Sequence, residues 1–585
     1  MEQERKLSYY ITSVRTTDIA KYEKKIKIAL LGSFTLNGMA ETFRVKCSQI
    51  NVDCTTYVSG YNQYAQDILN NNSNLYRFSP DLSFLIFDTR TILEKLFYFP
   101  YSISEAERKS FIRNKVNEII KLVDSYTNNS KSKLIITNLS TPTYSPYGIY
   151  ETKMNYGLQE MVSDFNSQIS IAIRTKESVY MYNFDAFVTK FGEKNIFDFR
   201  QFFFGDVKIT FDYIPYLIHD WMGYVKAVLG LNKKCIVLDL DNTLWGGIIG
   251  EDGIEGIKLG SDPVGRAFVE FQKILFALHQ RGIILAINSK NNPNDALDVI
   301  KSHPDMILRE ENFSCMKINW NDKVQNTREI ANDLNIGLDS IVFFDDDPVN
   351  REYMRSNLPQ VLTVDLPQDA SNYAQTLIAM NDFHHLKITE EDVNRGKMYL
   401  EDKQRKELGQ TATNLQDFLK QLNIKLIIKN ANNFTIPRIS QLTLKTNQFN
   451  LTTKRYQEEE IHKFASDPHY WVGCAQIEDK FGDNGITGVF IVKKENKEWL
   501  IDTFLLSCRI MGRGIEDGIL GHIIQEAKMQ GIDMIRAEFI QTKKNKPSET
   551  FLSDYGFKKN NNYWTYDVKN NPIKIPSHLA CTIEQ

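Results

Sequence analysis

The sequence predicts a multidomain α/β chain organised around parallel sheets. Three observations lead there. Apolar runs of strand length recur along the chain, such as Lys27-Ile-Ala-Leu-Leu31 and Cys235-Ile-Val-Leu238. Stretches of helical length separate them, the alternation that builds parallel sheets. Several runs end on Gly, Ser or Asp, at the strand edge where open α/β sheets hold ligands. At roughly 150 residues per domain, a chain of 585 residues is expected to form three or four.

In order, residues 1–25 read as an amino-terminal extension. Residues 26–230 form a first α/β region, with strands at 27–31, Phe84-Leu-Ile-Phe87 and Lys133-Leu-Ile-Ile136. Residues 231–380 repeat the logic. Strands at 235–240, 283–287 and 340–344 alternate with helices near 264–281 and 324–334, as in a doubly wound unit. Residues 381–420 are charged, with Glu390-Glu391-Asp392 and Lys403-Gln-Arg-Lys406, and read as a helical linker with a solvated face. Residues 421–585 mix strands at 424–428 and 499–506 with a helix near 515–530, an α+β pattern.

Composition narrows the function classes. A net charge of −3 and no run of Lys/Arg give no electrostatic footprint for nucleic acid. No apolar run approaches a membrane span, and the first residues lack the apolar core of a secretory signal. Seven scattered cysteines without a Cys-x-x-Cys pair argue against zinc and for free thiols in a reducing cytoplasm. The expectation is a cytoplasmic protein with no nucleic-acid or membrane partner.

The chemistry concentrates in the middle third. In Cys235-Ile-Val-Leu-Asp-Leu-Asp-Asn-Thr-Leu-Trp-Gly-Gly247 a buried strand delivers Asp239 and Asp241, two apart and so pointing the same way, to its carboxyl end. Carboxylates that close resist ionising together, and a hard divalent cation such as Mg²⁺ relieves the repulsion. One can then attack phosphorus as a nucleophile, and the other can move the proton of the leaving oxygen. Three further blocks follow in order. Ile283-Ile-Leu-Ala-Ile-Asn-Ser289 ends in a hydroxyl, Asn321-Asp-Lys323 supplies a cation, and Ile341-Val-Phe-Phe-Asp-Asp-Asp347 ends in carboxylates. This four-motif pattern resembles the haloacid-dehalogenase superfamily. The resemblance implies that Asp239 and Asp346 bind metal through their side chains and Asp241 through its carbonyl, with Asp345 assisting. It also implies that Thr243, Ser289 and Lys323 hold the phosphate. The intervals between motifs are too short for a large cap domain, so an open site for a bulky or protein-delivered substrate is expected.

Near the carboxyl terminus, strand 499–506 runs into Ser507-Cys-Arg-Ile-Met-Gly-Arg-Gly514 and a helix. Arg509, Gly512 and Gly514 would put backbone N–H groups at a helix start, which favours a pyrophosphate. The turn resembles the acyl-CoA-binding turn of the Gcn5-related N-acetyltransferases. Cys508 precedes it and is a candidate nucleophilic thiol, whereas Cys235 reads as core. The amide-rich block 441–456 offers Asn447, Gln448 and Asn450 as a candidate acyl pocket, or else a solvated loop. In the first region, Leu31-Gly-Ser33 and Gly60-Tyr-Asn62 resemble the SGNH hydrolases. His219 sits in a helix-surface context with no Asp-x-x-His block, so a docking or structural role is expected.

Taken together, Lys234–Gly247, Gly250-Glu-Asp-Gly253, Phe343–Glu352 and Thr446–Arg455 resemble the FkbH family over nearly the whole chain. Asp347 stands where much of that family has Asn. The resemblance implies an SGNH-like domain, a Rossmann-like haloacid-dehalogenase domain and an acetyltransferase-like domain. It implies capture of a glyceryl unit from 1,3-bisphosphoglycerate, loss of its phosphate, and loading onto the phosphopantetheine arm of an acyl carrier protein in polyketide biosynthesis. Two alternatives stay open: a Mg²⁺-dependent small-molecule phosphatase with partner-docking end domains, and a non-catalytic carrier-protein assembly factor.

Overall fold

The computed structural model describes residues 4–584 apart from 16–21, 389–400, 402–404, 406–407, 409–413 and 561–562. The side chain of Cys508 also lies outside the described residues. The chain divides into two compact units, residues 1–229 and 230–585. Among the described residues, no helix is long and apolar enough to cross a membrane.

The first unit is built on five strands, β1 (Lys24–Gly32), β2 (Val52–Val58), β3 (Leu82–Ile86), β4 (Lys133–Thr137) and β5 (Val179–Tyr182). They pair in parallel in the order β2-β1-β3-β4-β5. β3 and β4 are buried along their whole length, as strands covered on both faces must be. Trp221, on the helix Ile214–Val228, is fully buried and stacks on Phe84 of β3 with ring centroids 4.2 Å apart. Residues 4–13 belong to this unit and are no mere extension. The helix Leu7–Ser13 buries Leu7 and Tyr10, and Glu4 pairs with the nearly buried Lys46 at 2.7 Å.

The second unit opens with a second parallel sheet. Its strands are β6 (Cys235–Leu238), β7 (Ile284–Ser289), β8 (Phe313–Ile318), β9 (Ile341–Phe344) and β10 (Leu362–Thr363), ordered β10-β9-β6-β7-β8. The four residues of β6 are solvent-free, which is why this run is wholly apolar. β6 lies between β9 and β7, pairing Leu238 with Phe344 on one side and Ile287 on the other. That register alone brings three motif-bearing strand ends to one edge.

The same unit continues with β11 (Lys425–Asn430), β12 (Phe449–Asn450), β13 (Tyr470–Asp479), β14 (Gly482–Glu495), β15 (Glu498–Leu506), β16 (Met534–Ala537), β17 (Lys558–Asn560), β18 (Tyr563–Asp567) and β19 (Ala580–Glu584). They form a mixed sheet ordered β17-β18-β16-β15-β14-β13-β11-β19, with β12 attached to β15. The helix Ile515–Met529 covers it through Ile515, Ile519, Leu520, Ile523 and Ile524.

The charged 381–420 segment departs from the solvated linker expected of it. Most of it lies outside the described residues, but Arg405 is only 2% exposed and makes a two-pronged pair with the solvent-free Asp479, at 2.7 and 3.0 Å. A charge run counts charges but not the one that finds a buried counter-ion. Removing either partner strands a buried charge, so Asp479→Ala is expected to cost about 3–5 kcal/mol, read as a shifted urea midpoint.

Candidate active site

The strand register explains how the site assembles. Asp239 follows β6 and Asp345–Asp346 follow β9, so their carboxylates meet. One oxygen from each of Asp239, Asp345 and Asp346 lies within 4.8 Å of the others. Lys323, at the start of the helix Lys323–Asp333, enters between them, with Nζ 2.7 Å from Asp239 and 2.6 Å from Asp345. Burial opposes its charge, but the carboxylates of Asp239 and Asp345 outweigh that and hold the ammonium above the ordinary lysine range. Burial, then the charge of Asp239, raises Asp345. Burial followed by the charges of Asp239 and Asp345 pushes Asp346 up to about 6.

Three carboxylates against one ammonium leave uncompensated negative charge. Asp239 Oδ1 is buried and has no hydrogen-bond donor among the described residues. A hard divalent cation supplies what both facts demand, so Asp239, Asp345 and Asp346 fit Mg²⁺. Asp241 contributes no side-chain oxygen to that group. Its carboxylate instead accepts from Trp245 Nε1 at 2.8 Å, the Ile249 amide at 3.1 Å and Asn291 Nδ2 at 2.8 Å. Ser289 ends β7, is 1% exposed and takes a 3.4 Å contact from the same Asn291. Thr243 is fully buried, and its hydroxyl has no partner among the described residues.

Supporting residues escaped the sequence reading. Asn288 is fully buried on β7 and donates to the Lys323 carbonyl (2.8 Å) and Thr327 Oγ1 (3.0 Å), tying the lysine's helix to the strand. Arg351 donates to the carbonyls of Asp345 and Asp346, at 2.8 and 2.5 Å. Asp347 caps the helix Pro348–Asn357 by accepting from the Val349 amide, a task Asn performs equally well. The one available signal was an Asn or Arg next to a motif, too common to read.

Residues 27–226 match the family model described as FkbH, N-terminal domain. A similar solved structure is the N-terminal part of the protein BF1531 from Bacteroides fragilis, containing a phosphatase domain complexed with Mg. It is 28% identical, covers 66% of this chain and 100% of that one, and gives a TM-score of 0.60. Over residues 27–226 the chain is similar to the FkbH family. Comparison with curated proteins finds no match. Also similar are the ribosomal-protein-S18-alanine N-acetyltransferase of Escherichia coli (11% identity, 26% of this chain and 99% of that one, TM-score 0.21) and a GNAT-family acetyltransferase from Staphylococcus aureus Mu50 (15%, 25% and 99%, TM-score 0.20).

Several of the carboxy-terminal candidates are engaged by the chain's own groups. Gly512 and Gly514 have φ of 75° and 72°, the left-handed turn that suits glycine, and Gly514 starts the helix Ile515–Met529. Burial raises the pKa of the Glu516 carboxylate against the backbone amides of Glu516, Gly512 and Ile515 beside it. Arg509 lends its carbonyl to Arg513, and Cys508 begins the turn Cys508–Ile510. Asn447 accepts from Arg455. Asn450 is no open pocket wall. It is fully buried, and its side-chain oxygen holds the Thr452 and Thr453 amides at 3.3 and 2.8 Å. Phe449–Asn450 pair with Leu505–Leu506, and Ile540 donates to the Leu451 carbonyl, so residues 449–451 lie along the carboxyl end of β15. Gln448 is partly exposed beside them. Cys235 is solvent-free core, and burial pushes its thiol up. In the first unit, Ser33 is 3% exposed and accepts from the Asp88 amide, while His219 pairs with Glu4 at 3.1 Å. Gly60 and Asn62 lie in the loop after β2, Asn62 with φ of 51°.

Protonation of Asp346 competes with a cation. Mg²⁺ is therefore expected to raise the melting temperature, with an affinity that weakens about tenfold per pH unit below about 6. Calorimetric titration across that range checks it, and a flat profile contradicts the site. Asn291→Ala removes one of the three donors on Asp241. A fall in kcat of about tenfold with KM little changed is expected.

Proposed function

We propose that this chain is a Mg²⁺-dependent phosphatase and glyceryltransferase. In this reading it takes a glyceryl unit from 1,3-bisphosphoglycerate, removes the phosphate and loads the unit onto an acyl carrier protein in polyketide biosynthesis. The observation that carries the phosphatase half is the meeting of Asp239, Asp345, Asp346 and Lys323 at one sheet edge. The transferase half is supported by the FkbH resemblance.

Asp239 is the nucleophile. Its oxygen forms the bond to phosphorus as the phosphorus–oxygen bond to the glyceryl carbon breaks, and Asp241 gives its proton to the departing alkoxide. Asp241 then takes a proton from water, which attacks the aspartyl phosphate and returns Asp239 with release of phosphate. Lys323, and Ser289 at the end of β7, hold the phosphoryl oxygens, and Asn291 and Trp245 keep Asp241 oriented. A bound Mg²⁺ would supply charge neutralisation for the phosphoryl group at Asp239, Asp345 and Asp346. At the other end of the substrate, Cys508 displaces the acyl phosphate to give a thioester and free phosphate, and the carrier thiol then takes the acyl group.

A second reading is a small-molecule phosphatase whose end domains recruit partners. It is favoured by Glu516, whose carboxylate sits beside the turn amides, and by residues 449–451, which run along the end of β15. Intact-protein mass spectrometry separates the two, with Mg²⁺ and enzymatically generated 1,3-bisphosphoglycerate, with and without pantetheinylated carrier. A phosphate-free glyceryl adduct on the enzyme and then on the carrier is expected, and is lost in Cys508→Ala. Phosphate release without any adduct leaves the second reading. Asp239→Asn, correctly folded, is expected to release no phosphate from the monoester.

A further inference from the structure

The first unit has a cleft beyond β3 and β4, at the carboxyl edge of its parallel sheet. Four phenylalanines line it, together with Arg90 and Lys208. It adjoins the Ser33 position, since Ser33 Oγ accepts from the amide of the lining residue Asp88 at 2.9 Å.

The acids around the cleft are already engaged. Asp88 accepts from the amide and hydroxyl of Thr91, at 2.9 and 3.1 Å, and caps a helix. Asp198 caps the helix Phe199–Gly205 by accepting from the amides of Arg200 and Gln201. Glu193 is held by both the amide and the hydroxyl of Thr143.

The cations are not engaged in the same way. The Arg90 guanidinium lies over Phe97, Phe199 and Phe202, at 5.0, 4.7 and 5.5 Å from the ring centroids. Among the described residues it makes no hydrogen bond or ion pair. Lys208 is 7% exposed, with Nζ 3.0 Å from the centre of the Phe202 ring, and its carboxylate neighbours are Asp88 at 3.4 Å and Asp206 at 3.9 Å. Burial draws its pKa below the ordinary lysine range despite those neighbours. A guanidinium held flat by aromatic rings, with its donors unspent, suits the fork of a carboxylate or phosphate. A buried ammonium whose two counter-ions stand at 3.4 and 3.9 Å gains from a closer one.

We propose that this cleft is a second ligand site, which takes a small organic oxyanion on Arg90 and Lys208 and packs the ligand's carbon portion against the phenylalanines.

The test is calorimetric titration of the full chain in EDTA, with butyrate and with inorganic phosphate separately, for the wild type, Arg90→Gln, Arg90→Lys and Lys208→Met. Arg90→Lys keeps the cation over the rings but loses the fork, so it serves if circular dichroism shows that Arg90→Gln does not fold. At least one anion is expected to bind the wild type, and the folded Arg90 variant and Lys208→Met to bind it about tenfold more weakly. Binding of butyrate marks a carboxylate ligand. Arg90-dependent binding of phosphate alone marks a phosphate ligand. Phosphate held at Lys323 does not respond to Arg90 and so is separated from it. Equal affinity in the folded Arg90 variant and the wild type overturns the proposal, as does the lack of any Arg90-dependent binding up to about 10 mM.

Discussion

The active-site end of the second unit depends on one electrostatic problem: three carboxylates packed at the ends of two neighbouring parallel strands. Asp239, Asp345 and Asp346 are close enough to share one ion, and Lys323 brings positive charge among them. Removing that ammonium would leave buried like charges facing each other at low dielectric. The same crowding makes the edge reactive, since a site short of positive charge recruits a cation, which in turn would attract a phosphoryl group.

Much of the surrounding structure serves to hold that arrangement. Asn288 ties the helix carrying Lys323 to β7. Arg351 fixes the carbonyls of Asp345 and Asp346 behind the carboxylates. Trp245, Asn291 and the Ile249 amide hold Asp241 apart from the metal-type cluster. Two carboxylates two residues apart thus acquire different surroundings. One meets a cation and its carboxylate neighbours, and the other meets three neutral donors, which suits a nucleophile and a proton carrier.

Elsewhere the chain uses its own groups where a ligand-binding reading leaves space. The Glu516 carboxylate sits beside the amides of the glycine turn, and residues 449–451 run along the end of β15. In the first unit the balance is reversed. The acids around the cleft are capped or bonded, while Arg90 and Lys208 rest mainly against phenyl rings. Similar strand-turn patterns therefore lead to different local chemistry.

The amino-acid sequence by itself determined the α/β plan and the four motifs. The helix read at 264–281 is Gly265–Gln280, that at 324–334 is Lys323–Asp333, and that at 515–530 is Ile515–Met529. These are legible because apolar periodicity and strand-end carboxylates are local properties of the chain. Tertiary structure decided what depends on contact between distant residues. It set Asp345 beside Asp239 through the β6–β9 register, put Asn291 on Asp241 and buried Arg405 against Asp479. It also set the Glu516 carboxylate beside the glycine turn. A charge or amide in a sequence does not reveal its partner, because the partner is chosen by packing across hundreds of ångström-scale contacts that no local pattern encodes.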